Sequence, residues 1–206
     1  MAYPKAVVFD LLTALLDSWS LWDASAGDKR LGRRWRARYL ELTYGCGAYQ
    51  PYEELVAKAA REAGLPSAAP AALHADWDSL AAWPEVPGVL SGLRARGLGL
   101  GVVTNCSIEL GRRAAARCGV PFDVVVTAEE VGFYKPRPEP YRAVLAALDV
   151  DARDALFVAG SSADVPGATA VGMTVVWHNR IGLPPRPGPA PKRDAATLDA
   201  ALDGLV

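Results

Sequence analysis

A carboxylate, a hydroxyl–amide pair, an ammonium and a second carboxylate stand at the ends of short apolar runs in this chain. Ala6-Val-Val-Phe9 stops at Asp10, and Leu98-Gly-Leu-Gly-Val-Val runs into Thr104-Asn105-Cys-Ser107. The loop after Val124–Thr127 carries Lys135 within Gly132-Phe-Tyr-Lys-Pro136, and Ala155–Ala159 leads to Gly160-Ser-Ser-Ala-Asp164. Parallel α/β sheets place their chemistry in the crevice outside the carboxyl ends of the strands, so four such loops should meet at one edge. An ammonium beside a carboxylate holds it ionised and oriented, because a nearby opposite charge favours the charged form.

Those loops need a sheet to carry them. Apolar runs of four to seven residues alternate with helical patterns from Val89 onward: helices over Val89–Arg96, Ile108–Cys118, Glu139–Leu148 and Asp164–Val171, with a fifth strand at Met173–Trp177. That alternation predicts an α/β fold, a doubly wound parallel sheet. Between Leu15 and about Pro84 no strand pattern appears. Helices are expected near Trp19 and Trp22, over Asp28–Tyr44, over Tyr52–Ala63 and over Pro70–Ala82. In the second of these, Leu31, Trp35, Tyr39 and Leu42 recur at helical spacing and predict one buried stripe. About seventy helical residues exceed an ordinary crossover and are read as a separate subdomain. Pro84–Gly88 is read as the hinge back, Leu183–Arg193 with its five prolines as a surface loop, and Ala195–Leu205 as a short final helix.

The totals narrow the class. The 206 residues suffice for one substantial core with a smaller appendage. A formal net charge of -1 argues against nucleic-acid and membrane-surface partners, which favour a basic excess, and leaves a small molecule as the expected partner. Three widely spaced cysteines (Cys46, Cys106, Cys118) follow no metal-ligand spacing and fit free thiols in a reducing cytoplasm. No secretory leader and no bilayer span are expected. A homodimer is left open.

In its four motifs the chain resembles the haloacid dehalogenase superfamily. Asp10, Thr104-Asn105, Lys135 and Asp164 fall on those motifs in order, and the helical insert lies where the superfamily places a cap. The resemblance runs from Lys5 to about Arg180. It implies a Rossmann-like core over residues 1–14 and 86–206 with a helical cap over 15–85. It also implies that Asp10 attacks the substrate to form a covalent ester, which splits one hard displacement into two easier ones.

Most members are Mg²⁺-dependent phosphatases with an acid two residues after the nucleophile; here that residue is Leu12. A halide leaving group needs neither proton nor metal. The chain is also similar to the 2-haloacid dehalogenase branch in the helix Trp35-Arg36-Ala-Arg-Tyr-Leu40-Glu-Leu-Thr-Tyr44, in Tyr141 six residues after Lys135, and in the Ser161-to-Asp164 spacing. That likeness implies that Arg36 assists halide departure and that Thr104 and Asn105 bind the substrate carboxylate. Asp164 and Lys135 would then position the hydrolytic water, with Leu12, Leu40, Tyr141 and Ser161 around the substrate.

No cofactor is then implied, and Mg²⁺ enters only under the phosphatase alternative, held by Asp10 and Asp164. Departures from the branch are Leu12 for an aromatic, Ala14 for a threonine, Ser161 for an asparagine and Ala163 for an aromatic. Thr13 carries a hydroxyl one position early and is expected to start from the wrong face. A binding module that has lost turnover is the third reading. Arg36 sits among Arg33, Arg34 and Arg38, so a solvated basic face competes with its functional role. Tyr141 as a packing residue competes in the same way. Cys106 lacks a histidine partner, and His74 and His178 fall on no motif.

Overall fold

Alternation along the strands decides the layering. In the computed structural model, which describes residues 3–206, five strands foreseen from sequence form: β1 (Ala6–Phe9), β2 (Gly99–Thr104), β3 (Val124–Thr127), β4 (Ala155–Ala159) and β5 (Thr174–His178). With β6 (Arg193–Ala195) they make one sheet in the order β3-β2-β1-β4-β5-β6, every neighbour parallel. Val7, Phe9, Leu100, Val102, Val158 and Val176 face one apolar cluster, and Val8, Val103, Phe157, Val175 and Trp177 face a second. Both faces are therefore covered, which is why the strands read as continuous apolar runs. Each such buried aliphatic or aromatic side chain contributes roughly 1.5–3 kcal/mol.

The sheet order reverses between β1 and β4, the switch point where open α/β sheets bind ligands. Phe9 pairs with Val102 on one side and Val158 on the other, and the Asp10 amide still donates to the Val158 carbonyl at 2.9 Å. Asp10 is thus the last residue of β1 held by the ladder.

Between β1 and β2 lie α1 (Ser18–Ala26), α2 (Lys29–Cys46), α3 (Tyr52–Glu62) and α4 (Ala69–Ala75). Asp28 caps α2 by accepting from the Leu31 amide, and Gly47 ends it at φ +71°, which an L side chain rarely adopts. A run of rings ties the helices together: Trp22 to Trp35 at 4.6 Å, Trp22 to Tyr39 at 5.1 Å, Tyr39 to Tyr52 at 5.3 Å and Tyr52 to Trp77 at 6.1 Å between centroids. The entry and exit of the insert cross at a Leu16–Ala82 bridge. Asp17, which caps α1, donates its amide to Ala81 O at 2.8 Å, and Trp83 donates its own to Leu15 O at 3.0 Å.

The remaining helices are α5 (Val86–Ala95), α6 (Ile108–Ala116), α7 (Ala128–Val131), α8 (Pro138–Leu148), α9 (Asp164–Ala170) and α10 (Leu198–Leu202). Several expectations are corrected. The helix expected over Pro70–Ala82 ends at Ala75 and gives way to a 3-10 turn at Trp77–Ser79, which lets the Trp77 indole reach Leu110 O at 2.9 Å. The Pro84–Gly88 hinge is shorter, because α5 begins at Val86 with Pro87 in its first turn, where a missing N–H costs nothing.

The proline-rich loop ends in a sixth strand that no propensity announces; Arg193–Ala195 gains it only by lying beside β5, and α10 shrinks accordingly. The short α7 was not foreseen. In α2 the buried residues are Gly32, Trp35, Arg36, Tyr39 and Thr43, while Leu31 and Leu42 are half-buried, so the stripe is rotated toward Arg36.

Candidate active site

Asp10 sits where β1 gives way to a turn over residues 11–15, closed by the Leu15 amide on Leu11 O at 3.1 Å. The turn brings Thr13 back over the strand end, so its amide and hydroxyl donate to Asp10 Oδ2 at 3.3 and 2.8 Å. The expectation that Thr13 starts from the wrong face is therefore corrected: the turn carries its side chain round to the carboxylate. Ala14 carries no hydroxyl, but its carbonyl accepts from His178 Nδ1 at 2.7 Å, which gives that buried histidine a structural place. His74 is exposed.

Lys135 lies between the two carboxylates. Its Nζ stands 2.7 Å from Asp10 Oδ1 and 3.2 Å from both oxygens of Asp164, with 1% of the side chain exposed. Burial pushes Asp10 up, but Lys135 and the Thr13 hydrogen bonds outweigh it and hold the carboxyl below its ordinary value. Asp164 answers differently. Burial and the Asp10 charge push it up to about 6 in spite of Lys135 and Tyr44. Burial opposes the Lys135 charge, yet the two carboxylates raise that group above its ordinary value. One ionised carboxylate and one that titrates near neutrality is the pairing that separates a nucleophile from a base.

Asn105 faces the site, but its side chain clamps Lys135: the Lys135 amide donates to Oδ1 at 2.8 Å, and Nδ2 donates to Lys135 O at 3.3 Å. One N–H of that amide stays available for a substrate. The Thr104 hydroxyl lies 3.2 Å from Cys106 Sγ. Burial pushes the Cys106 thiol up to about 12, so it stays protonated and is no nucleophile at neutral pH.

Arg36 is buried, 2% exposed, and is not part of a solvated basic face. Its guanidinium stacks 4.4 Å from the centre of the Trp19 ring and 5.6 Å from that of Trp22. Among the described residues, Nε and Nη1 have no hydrogen-bond partner.

Asp10, Leu12, Thr13, Arg36, Tyr39, Leu40, Tyr44, Thr104, Asn105, Lys135 and Ser161 line one cavity of about 20 Å³, enough for a water-sized group. Tyr141 is not among them. It stands behind Asp164, edge-on to Phe157, with its hydroxyl 3.3 Å from Asp164 Oδ1, so it touches the acid and not the cavity. Sequence reasoning passed over Tyr39 and Tyr44, whose hydroxyls donate to Asn105 O at 3.1 Å and Asp164 Oδ1 at 2.9 Å. The spacing Arg36, Leu40, Tyr44 marks one helix face and held the signal for Tyr44.

Asp10 and Asp164 are the two carboxylates that a Mg²⁺ ion would have to use. Among the described residues no three His, Cys, Asp or Glu side chains converge, and both site carboxylates already share the Lys135 ammonium. The Leu12 carbonyl is taken by the Ser18 hydroxyl.

An aspartate at the switch point, paired to a lysine from a distant loop and roofed by helices inserted after β1, is the arrangement of the haloacid dehalogenase-like hydrolases. The chain belongs to that family, whose model matches residues 4–172. It is 30% identical over 223 residues to (S)-2-haloacid dehalogenase 1 of Pseudomonas sp. (strain CBS-3), covering 98% of this chain and 96% of that one. To phosphatase MT3486 of Mycobacterium tuberculosis it is 34% identical over 160 residues, covering 75% and 72%. The crystal structure of the L-2-haloacid dehalogenase RSc1362 superposes with a TM-score of 0.87 at 30% identity, covering 99% of both chains.

Proposed function

We propose that this hydrolase is a metal-independent 2-haloacid dehalogenase that converts a short 2-haloacid to the 2-hydroxy acid. The observation that carries the reading is Arg36: a buried cation with two unpaired nitrogens, on the wall of the cavity that holds Asp10, with Leu12 where a phosphatase would need an acid.

In this reading an Asp10 oxygen bonds to carbon 2 as the carbon–halogen bond breaks, and the halide leaves with the bonding pair toward Arg36. A leaving group that departs as a stable anion needs no proton, so Leu12 is no defect. Thr104 and the free N–H of Asn105 bind the substrate carboxylate. Water, losing a proton to Asp164, then adds to the ester carbonyl of Asp10. The ester bond breaks, the second water proton ends on the 2-hydroxy acid, and Asp164 passes its proton to solvent. A group titrating near 6 is matched to that task at neutral pH. One displacement at carbon 2 inverts it.

Residues 15–85 act as the cap in this reading. A cavity of about 20 Å³ fits a closed state that opens to admit a haloacid. Among the described residues no helix is long and apolar enough to cross a membrane, and the three free cysteines support a cytoplasmic setting.

The test gives the protein chloroacetate or 2-chloropropionate in EDTA, and an aryl phosphate with Mg²⁺. Halide release that vanishes in Asp10→Asn is expected. Metal-dependent phosphate release without halide release overturns the reading in favour of the phosphatase, and inertness to both assigns the fold to binding.

A further inference from the structure

The insert helix does more at this site than carry Arg36. Arg36, Leu40 and Tyr44 are spaced by four residues, so α2 presents all three to the cavity from one face. Arg36 brings its guanidinium to the cavity wall and Leu40 supplies apolar wall. Tyr44 crosses to the core and donates to Asp164 Oδ1 at 2.9 Å. The same oxygen receives the Tyr141 hydroxyl at 3.3 Å and shares Lys135 Nζ at 3.2 Å. Oδ2, among the described residues, has Lys135 as its one donor, at 3.2 Å. The acid is therefore loaded on one oxygen and keeps open lone pairs on the other.

We propose that Tyr44 is a positioning residue for ester hydrolysis, fixing the Asp164 carboxylate from the cap so that Oδ2 is left to take a proton from water. The proposal rests on the dehalogenase reading for the identity of the ester. Because Tyr44 stands on the insert and Asp164 on the core, any movement that lifts the insert away from the core breaks this contact.

The groups facing Asp164 are Lys135 from the loop before α8, Asp10 from β1, Tyr141 from α8 and Tyr44 from α2. Arg186, in the proline-rich loop, acts in turn on the Tyr44 phenol. Lys135 and Tyr44 favour the ionised acid and Asp10 opposes it. A donor to the charged form lowers a carboxyl pKa, so loss of the Tyr44 hydroxyl raises it. Burial holds the Tyr44 phenol well above its ordinary value, so it stays a donor throughout the neutral range.

The experiment compares wild type with Tyr44→Phe, which keeps the ring and removes the hydroxyl, and with Tyr141→Phe, which removes the longer bond from the core side. Rapid-quench halide release from 2-chloropropionate reads ester formation, and steady-state turnover reads its hydrolysis. In Tyr44→Phe the first-turnover halide burst should keep its wild-type rate while steady-state turnover falls about tenfold or more, the scale of one hydrogen bond to a charged group. The acid limb of the turnover profile should move to higher pH. Tyr141→Phe should show a smaller shift. Carbon-13 NMR of carboxyl-labelled aspartate, assigned with Asp164→Asn, should show Asp164 titrating at higher pH in Tyr44→Phe.

An Asp164 titration unchanged in Tyr44→Phe overturns the proposal. So does a burst and a turnover that fall together, which a merely structural tyrosine would give. If the wild type releases no halide, the dehalogenase reading falls on its own, and the carboxyl titration still decides whether Tyr44 holds Asp164.

Discussion

Gly160, the residue after β4, lies so close to Asp10 that a β-carbon on it would stand 2.5 Å from Asp10 Oδ2, and 2.3 Å from Thr13 Oγ1. The backbone at Gly160 thereby forms the floor beneath the Asp10 carboxylate, and only a residue without a side chain leaves room. Gly160→Ala should displace Asp10 and Thr13 and lower kcat/KM for the haloacid by about a hundredfold, the usual effect of misplacing a reacting group by about an ångström. Overpacking should lower stability by roughly 1–3 kcal/mol. Kinetics beside a urea titration separates the two effects, and a wild-type kcat/KM would show the floor is not tight.

Among the described residues Lys135 is the one ammonium between the two buried carboxylates. Lys135→Met leaves both without a counter-charge, and breaking a buried pair in this way typically removes about 3–5 kcal/mol. Chemical unfolding at pH 7 should show a loss on that scale. The loss should shrink toward pH 4, where the unpaired carboxyls bind protons and the charge disappears.

Asp164 and Asp10 give opposite contributions to stability against pH. Asp164, raised to about 6 from its ordinary 3.8, binds its proton more tightly folded than unfolded. Its contribution to stability therefore declines as pH rises from about 4 to 6. Asp10 is lowered, so its contribution is present above 3.8 and is lost as pH falls through its lower folded value. If Asp164 takes the proton from water as proposed, turnover should rise through about pH 6, over the interval in which that residue's stability contribution falls. Asp164→Asn should abolish turnover and remove the decline between pH 4 and 6, which denaturant midpoints across that range would register.

Arg36 is a buried guanidinium stacked on Trp19, with nitrogens left for a ligand. Among the described residues Arg36 forms no ion pair, so an apolar side chain of similar volume removes its desolvation cost without leaving a partner charge unpaired. Arg36→Met should hold or raise the melting temperature while halide release falls by at least about a hundredfold, as when a donor to developing charge is removed. A variant that loses stability and activity together would instead make Arg36 a packing residue.

The core of the fold was legible because its strands are apolar runs bounded by polar residues and its helices carry a clear period. Asp10, Thr104 and Asn105 stood out for the same reason, each closing or following such a run, whereas Lys135 and Asp164 were singled out by the order of the four motifs. β6 was not legible, since Arg193-Asp-Ala195 becomes a strand only by pairing with β5. The break at Asp76 was hidden as well, because it serves a long-range bond from Trp77 to Leu110.

Residue types and their order determined which groups this protein brings to the crevice: an acid closing β1, a lysine, a second acid, and a leucine where a phosphatase has a carboxylate. Only the tertiary structure decided what each group faces. The turn over residues 11–15, and not composition, returns the Thr13 hydroxyl to Asp10. The rotation of α2 about its axis buries Arg36 and sends Tyr44 to Asp164, while Tyr141 falls behind the acid. These outcomes depend on distances between segments far apart in the chain, set by how rings such as Trp22, Trp35 and Tyr39 pack, and local spacing carries no record of them.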